Sequence, residues 1–242
     1  MFLSHKDRVL TKFVNIIGTR RLRADRLLVE RGLFESRAKA QAAIAAGFTF
    51  ADGRPVTRPS DLISVEAALS AQAPHPWVSR GGIKLARALD VIAMNVEGRV
   101  CLDVGASTGG FTEVLLSRGA CHVTAVDVGR GQLHARLMDD DRLTSIEGTD
   151  IRALDRSHLG EPPDLIVLDV SFIPLKLVLP AALALAAAQA DLIALVKPQF
   201  EAGPEANKKG IVRDPAVHSA ACDDVAASIA ALTSRSRSVT WP

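Results

Sequence analysis

Residues 102–111 read Leu-Asp-Val-Gly-Ala-Ser-Thr-Gly-Gly-Phe: the end of an apolar run, a glycine-rich loop, and the start of a helical pattern. Few folds accept that order. Glycine adopts backbone angles closed to other residues, so such a loop can turn sharply and bring main chain close to a ligand. The run itself begins at Val100, and similar apolar runs recur at residues 123–128, 143–146, 165–170 and 192–196. Helical stretches lie between them, and another helix is expected over residues 83–94, ahead of the first strand. Strands read as nearly continuous apolar runs when both faces are covered. The rhythm therefore predicts an α/β domain with a parallel sheet between two helical layers. Five strands in the order 3-2-1-4-5 are expected, the fifth at an unprotected edge.

The front of the chain has a different pattern. Residues 1–21 have no clear period and end in Thr19-Arg20-Arg21, which predicts a basic, poorly ordered lead-in. From Leu22 the spacing turns helical through Leu27 and Leu28, with Gly32 as a stop. A second helix is expected from an N-cap at Ser36 to Gly47. Residues 48–50 and 55–57, joined by Asp52-Gly53, predict a hairpin. Residues 22–69 thus form a small α+β unit. Residues 70–80, with Pro74 and Pro76, read as a linker, and residues 81–242 as the larger domain.

Charge follows this division. Residues 1–80 hold 13 lysines and arginines against 7 acids, whereas the remainder holds 16 against 20. A basic front on a mildly acidic body suits a nucleic-acid-binding appendage on an enzyme. Arg23, Arg26, Arg37, Lys39 and Arg54 are the candidates for contacts to RNA phosphates. Cys101, Cys121 and Cys222 are far apart and the histidines are scattered, so no disulfide framework and no metal site is expected. The first ten residues carry charges where a secretory signal needs an apolar run. Residues 175–190 are interrupted by Lys176 and Pro180 and fall short of a spanning helix. A soluble, cytoplasmic protein is expected.

The glycine loop also points to a cofactor. Asp127 ends the second strand of the larger domain, where an acid accepts hydrogen bonds from ribose hydroxyls. That pairing alone fits a dinucleotide or S-adenosyl-L-methionine. The dinucleotide pattern, however, needs glycines spaced for pyrophosphate. Here they fall at Gly105, Gly109 and Gly110, behind Asp103, which would repel pyrophosphate but suits a methionine amino group. Asp150, beyond the third strand, suits the adenine amino group. The expected cofactor-binding set is Asp103, Gly105, Ser107, Gly109, Gly110, Phe111, Asp127 and Asp150.

Asp169 and Lys197 end the fourth and fifth strands. Opposite charges on neighbouring strand ends beside a cofactor loop suggest catalysis. The sequence after the fourth strand is Asp-Val-Ser-Phe, unlike the proline-rich signature of amino-group methyltransferases. No cysteine is placed to attack a cytosine ring. A lysine–aspartate site suits deprotonation of an alcohol.

Taken in order, SRGGIKL, DVGASTGGFT, AVDVGRGQL, LDVSFIPLKLVLP, ALVKPQFEAG and GIVRDPAVH resemble the TlyA-type haemolysin/ribosomal RNA methyltransferases. Residues 22–60, with RLLVERGLFESRAKAQ, resemble the S4-type RNA-binding domain that precedes the catalytic domain in that family. The resemblance covers about residues 22–233. It implies a Rossmann-like, FtsJ-like methyltransferase domain, ribosomal RNA or ribosomal subunits as partners, and methylation of a ribose 2′-hydroxyl. It also implies a Lys-Asp-Lys-Glu tetrad, whose first three members match Lys84, Asp169 and Lys197. The family's glutamate lies on a final strand. This chain stops at residues 238–242, roughly where the sixth strand would begin, and Glu201 and Glu205 do not match the motif. The final strand pair and the fourth tetrad member are therefore expected to be missing. Two rival functions follow: an RNA-binding or ribosome-associated protein that keeps the cofactor fold without catalysis, and a haemolysin. The second lacks support from any amphipathic pore segment.

Overall fold

A computed structural model describes residues 20–73, 75–202, 212 and 214–233. The chain forms two units, the first running to Pro76 and the second from Trp77.

In the first unit, β1 (Arg21–Arg23) leads into α1 (Ala24–Glu30), followed by α2 (Arg37–Ala45), β2 (Thr49–Ala51), β3 (Arg54–Pro55), β4 (Leu62–Ser64) and β5 (Leu69–Ala71). Ser36 caps α2 by accepting a hydrogen bond from the Lys39 N–H. Ala51 pairs with Arg54 across Asp52 and Gly53, both at positive φ, as a two-residue hairpin turn requires. Leu27, Leu28, Ala40, Ile44, Val56 and Ile63 form the core.

Three expectations change here. Leu22 lies in a strand that pairs with β4, and not in a helix. Arg20 and Arg21, assigned to the lead-in, are ordered, and Arg21 opens that strand; the rest of the lead-in lies outside the described residues. The unit also does not end at Leu69, because β5 joins the edge of β2 and takes in the start of the expected linker. Strands of three residues are too short for alternation to show, and backbone pairing with a distant partner defines them.

The second unit contains α3 (Arg80–Val91), β6 (Val100–Val104), α4 (Gly110–Ser117), β7 (His122–Asp127), β8 (Leu143–Glu147), β9 (Leu165–Leu168), α5 (Leu175–Leu185), β10 (Asp191–Ala194), α6 (Pro198–Glu201) and α7 (Pro215–Leu232). The sheet order is β10-β9-β6-β7-β8, all parallel, which is 3-2-1-4-5 counted from β6 as the first strand. Every side chain of β9 is fully buried. Leu165 and Val167 pack with α3 and α4, while Ile166 and Leu168 pack with α5, so the sheet is covered on both faces. Between β7 and β9 the expected helices shrink to single 3₁₀ turns at Ala135–Leu137, Ile151–Ala153 and Arg156–His158.

The end of the expected linker, from Trp77 onward, belongs to this unit. Trp77 lies against Gly82, where an added Cβ would come within 2.5 Å of its ring, and Val78 donates its N–H to Glu113. Among the described residues β10 pairs with β9 alone. Glu205 and residues 234–242, on which the expectation about the final strand pair rests, lie outside the described residues.

Candidate active site

The strand order reverses between β6 and β9, which opens a crevice at the carboxyl edge of the sheet. Gly105 makes the turn out of β6 at φ +84°, and a Cβ there would meet the Asp169 carbonyl oxygen at 2.9 Å. The loop and the end of β9 are therefore in backbone contact, which only glycine permits. Ser107 follows at φ +49°, a left-handed value that suits few non-glycine residues. It is held there because its N–H donates to Asp127 Oδ2 (2.8 Å) and its hydroxyl to Gln132 Oε1 (3.2 Å).

Two adjoining cavities flank this loop and share Gly105, Ser107, Asp169 and Ser171. The first, about 670 Å³, is walled by the start of α3 (Ser79, Arg80, Lys84), by Gly110 and Phe111 at the start of α4, and by Lys197. The second, about 540 Å³, is walled by Asp127, Asp150, Gln132, Thr149, Ile151 and Phe172, among others. One wall is cationic and the other acidic.

The charged residues meet where the cavities join. Lys197 Nζ lies 2.6 Å from Asp169 Oδ1 and donates to Ser171 Oγ (2.7 Å) and to the Asp169 carbonyl (3.3 Å). Lys84 Nζ approaches the other carboxylate oxygen at 3.7 Å. The Lys197 side chain is only 16% exposed, against 51% for Lys84. Two hydrogen-bond acceptors and the adjoining carboxylate restrict the orientation of the Lys197 side chain, so Asp169 acts as its anchor.

Asp127 is fixed equally firmly. Its Oδ1 accepts the Gly129 N–H at 2.7 Å, so each oxygen holds one backbone donor and keeps a lone pair for another partner. Asp150 caps the turn that follows it and forms a forked pair with Arg152, whose hydrogen bonds hold its carboxyl below the usual aspartate range.

Two expected cofactor residues line neither cavity. Asp103 is fully buried, and its Oδ2 accepts from the Thr112 hydroxyl (2.6 Å), because its position in β6 aims the side chain beneath α4. Gly109 is needed for packing: at φ +89° it starts α4, and a Cβ would strike Leu137 at 2.4 Å and Leu133 at 2.8 Å. Burial, reinforced by the charges of Asp169 and Asp127, pushes the Asp103 carboxyl up to about 7, against the lowering effect of Thr112. Well below the ordinary aspartate value of about 3.9 both folded and unfolded chains hold it neutral. As pH rises toward 7 the unfolded chain ionises it freely and the folded chain does not, so stability falls. Asp103→Asn should therefore gain on the parent in Tm from about pH 4 to about pH 7 and hold that margin above it. A margin constant across that range would mean that the carboxyl titrates normally.

Sequence reasoning missed Ser79, Arg80, Gln132 and Ser171. Arg80 lies one helical turn before Lys84, and Gln132 lies in the AVDVGRGQL motif, so spacing could have flagged both. Phe172 was quoted in a motif without a role. It sits at φ +67° and 90% exposed, with its ring centroid 5.2 Å from that of Phe200. A bulky residue in that conformation is backbone strain stored beside a site. Glu201 is structural: its carboxylate accepts the Leu175 N–H at the start of α5.

Arg23 and Arg37 converge on Asp25 in the first unit. Arg26 and Lys39 instead form exposed pairs with Glu30 and Glu35, and Arg54 lies exposed on β3. Among the described residues no cluster of histidine, cysteine or acid could hold a metal ion, and no helix is long and apolar enough to cross a membrane.

Residues 77–242 match the FtsJ-like methyltransferase family. The chain is 45% identical to the 16S/23S rRNA (cytidine-2′-O)-methyltransferase TlyA of Mycobacterium tuberculosis, over 92% of its own length and 81% of that protein. It is also 45% identical to the rRNA methyltransferase homologue YqxC of Bacillus subtilis, over 81% of this chain and 71% of that one. A solved structure described as a hemolysin from Streptococcus thermophilus aligns with a TM-score of 0.66 at 39% identity, covering 87% of this chain and 78% of that chain. The glycine loop, the strand-end acids and the lysine–aspartate–lysine cluster thus sit in a chain that belongs to the FtsJ-like methyltransferases, alongside the TlyA-type ribosomal RNA enzymes.

Proposed function

We propose that this protein transfers a methyl group from S-adenosyl-L-methionine to a ribose 2′-hydroxyl of ribosomal RNA, in the cytoplasm, with the first unit serving as an S4-type RNA-binding domain. The observation that carries this reading is the Lys84–Asp169–Lys197 cluster at the junction of a cationic and an acidic cavity.

The acidic cavity fits the cofactor. Its volume is within the range of small-molecule sites, and its carboxylates suit ribose hydroxyls and an amino group while repelling pyrophosphate. Asp127 would hold the ribose, and Asp150 would lie near the adenine. Bound there, the cofactor supplies a methyl group on a positively charged sulfur. The cationic cavity, lined by Arg80, Lys84 and Lys197, suits the phosphodiester backbone of the substrate. Phe172, exposed at the rim, offers a face for a nucleobase. Lys197 is the group placed to take the 2′-hydroxyl proton, with Asp169 holding its Nζ in line and Ser171 completing its shell. Such a site depends on in-line placement of the reacting atoms more than on acid catalysis.

Asp127→Ala should weaken cofactor binding by about 1.5–3 kcal/mol for each hydrogen bond lost, measured by calorimetry. Preference for NADH over S-adenosyl-L-methionine in the same titration would overturn the cofactor assignment. A tritium-transfer assay on ribosomal RNA separates catalysis from the rival role of a non-catalytic RNA-binding protein. Mapping ribose methylation by mass spectrometry, with and without the protein, then identifies the nucleotide.

A further inference from the structure

Asp25 is the second residue of α1, and its carboxylate is completely buried. Three side chains from two elements converge on it. Arg23 in β1 donates from Nε (3.1 Å) and Nη2 (3.2 Å), Arg37 at the start of α2 from Nε (3.2 Å) and Nη2 (2.8 Å), and Gln41 from Nε2 (2.8 Å). The hydrogen bonds from Arg23, joined by those from Arg37 and Gln41, outweigh burial and hold the carboxyl well below the usual range. The two arginine side chains nevertheless stay 46% and 58% exposed. Among the described residues nothing takes the Nη1 of either one.

We infer that Asp25 is a positioning residue that holds Arg23 and Arg37 as one preformed clamp for an RNA phosphate; this rests on the proposed RNA-binding role of the first unit. Two guanidiniums on one buried carboxylate leave a net positive charge at the surface. Both forks are fixed before the ligand arrives, and a guanidinium fork matches phosphate oxygens in bidentate fashion. A free arginine must give up its rotamer freedom on binding, whereas these two have already lost it on folding. A buried ion cluster stabilises a fold little better than an apolar replacement does, so stability alone does not account for a charged group here. Arg26 and Lys39 lack this feature, since each pairs with a single exposed acid and can swing free.

The test exploits a sign. Asp25→Asn raises the net charge by one, so simple electrostatics predicts tighter RNA binding, whereas the clamp predicts weaker binding. The full-length protein is titrated by filter binding against transcribed bacterial 16S and 23S ribosomal RNA, with circular dichroism and thermal unfolding as controls for folding. Asp25→Asn should lose about tenfold in affinity, the combined effect of freeing two arginine side chains. Glu30→Gln, which makes the same charge change at an exposed pair, should bind as well as the parent or better. Folded Asp25→Asn protein that binds as tightly as the parent overturns the clamp.

If Asp25→Asn does not fold, the double variant Arg23→Lys/Arg37→Lys decides. It keeps every charge and loses both forks, so it should weaken binding about tenfold with an unchanged salt dependence; unchanged affinity overturns the clamp. The double variant Arg23→Ala/Arg37→Ala tests the underlying reading. Unchanged affinity there means that this face does not dock RNA at all. A loss there, without a loss in the asparagine or lysine variants, refutes only the preorganisation by Asp25.

Discussion

Lys197→Ala should lower methyl transfer to ribosomal RNA by about 10²–10⁴-fold, the usual contribution of a positioned general base, while cofactor affinity stays nearly unchanged. The structure separates the two readouts. Lys197 lines the cationic cavity and not the acidic one, so its loss leaves the walls around Asp127 and Asp150 intact. Lys197→Arg should be equally inactive, because a guanidinium stays protonated in proteins and its fork cannot reproduce a compact ammonium between Asp169 and Ser171. The arginine variant carries the decision. The same contacts to Asp169 and Ser171 would also serve purely electrostatic positioning of the substrate. If Lys197→Arg keeps substantial activity, the positive charge is what matters and the general-base role is wrong. Transfer is read by tritium incorporation and cofactor binding by calorimetry.

The second large effect is expected at Gly105. Gly105→Ala forces a side chain into a left-handed conformation and drives its Cβ to within 2.9 Å of the Asp169 carbonyl oxygen and 3.2 Å of Val170 Cα. Both obstacles are backbone of the strand-end loop after β9, so no side-chain rotation relieves them. Strain and overpacking together should remove roughly 2–5 kcal/mol of stability, visible as a lower Tm and a lower denaturant midpoint. Whatever relief occurs must move the Asp169 backbone, and with it the acceptors that hold Lys197. The variant should therefore lose transfer even at temperatures where it remains folded. Parent-like activity in a folded Gly105→Ala protein would mean that the loop and β9 are not in rigid contact. Gly131, at φ +63° with nothing within 4 Å, is the control: substitution there meets the same conformational penalty without the clash.

Much of the larger unit is legible in its sequence. The apolar runs at residues 100–104, 123–128 and 165–170, which correspond to strands Val100–Val104, His122–Asp127 and Leu165–Leu168, announce strands because a strand covered on both faces has no polar alternation to confuse with a loop. The smaller unit was less legible. Asp52-Gly53 identified its hairpin through a local conformational demand, but the pairing of Arg21–Arg23 with Leu62–Ser64 joins segments about 40 residues apart with no pattern in either. The site divides in the same way. Asp127, Asp150, Asp169 and Lys197 could be nominated together because chain leaving neighbouring strands of a parallel sheet emerges at one edge; Asp127 closes β7, while Asp150, Asp169 and Lys197 lie just beyond β8, β9 and β10. Asp103 was misjudged because it lies one position before the strand's last residue, where alternation turns the side chain under α4.

The sequence by itself determined the α/β class, the glycine turn, the strand-end acids and the family, because each depends on short-range spacing and on the backbone freedom of particular residues. Only the tertiary structure decided which polar groups face one another. It buried Asp103 beside Thr112, fastened Lys197 between Asp169 and Ser171, brought Gln132 to Ser107, and joined Arg23 and Arg37 through Asp25. Those pairings cross from one element to another, and a charge is held or left free according to the partner that packing supplies, which no local pattern encodes.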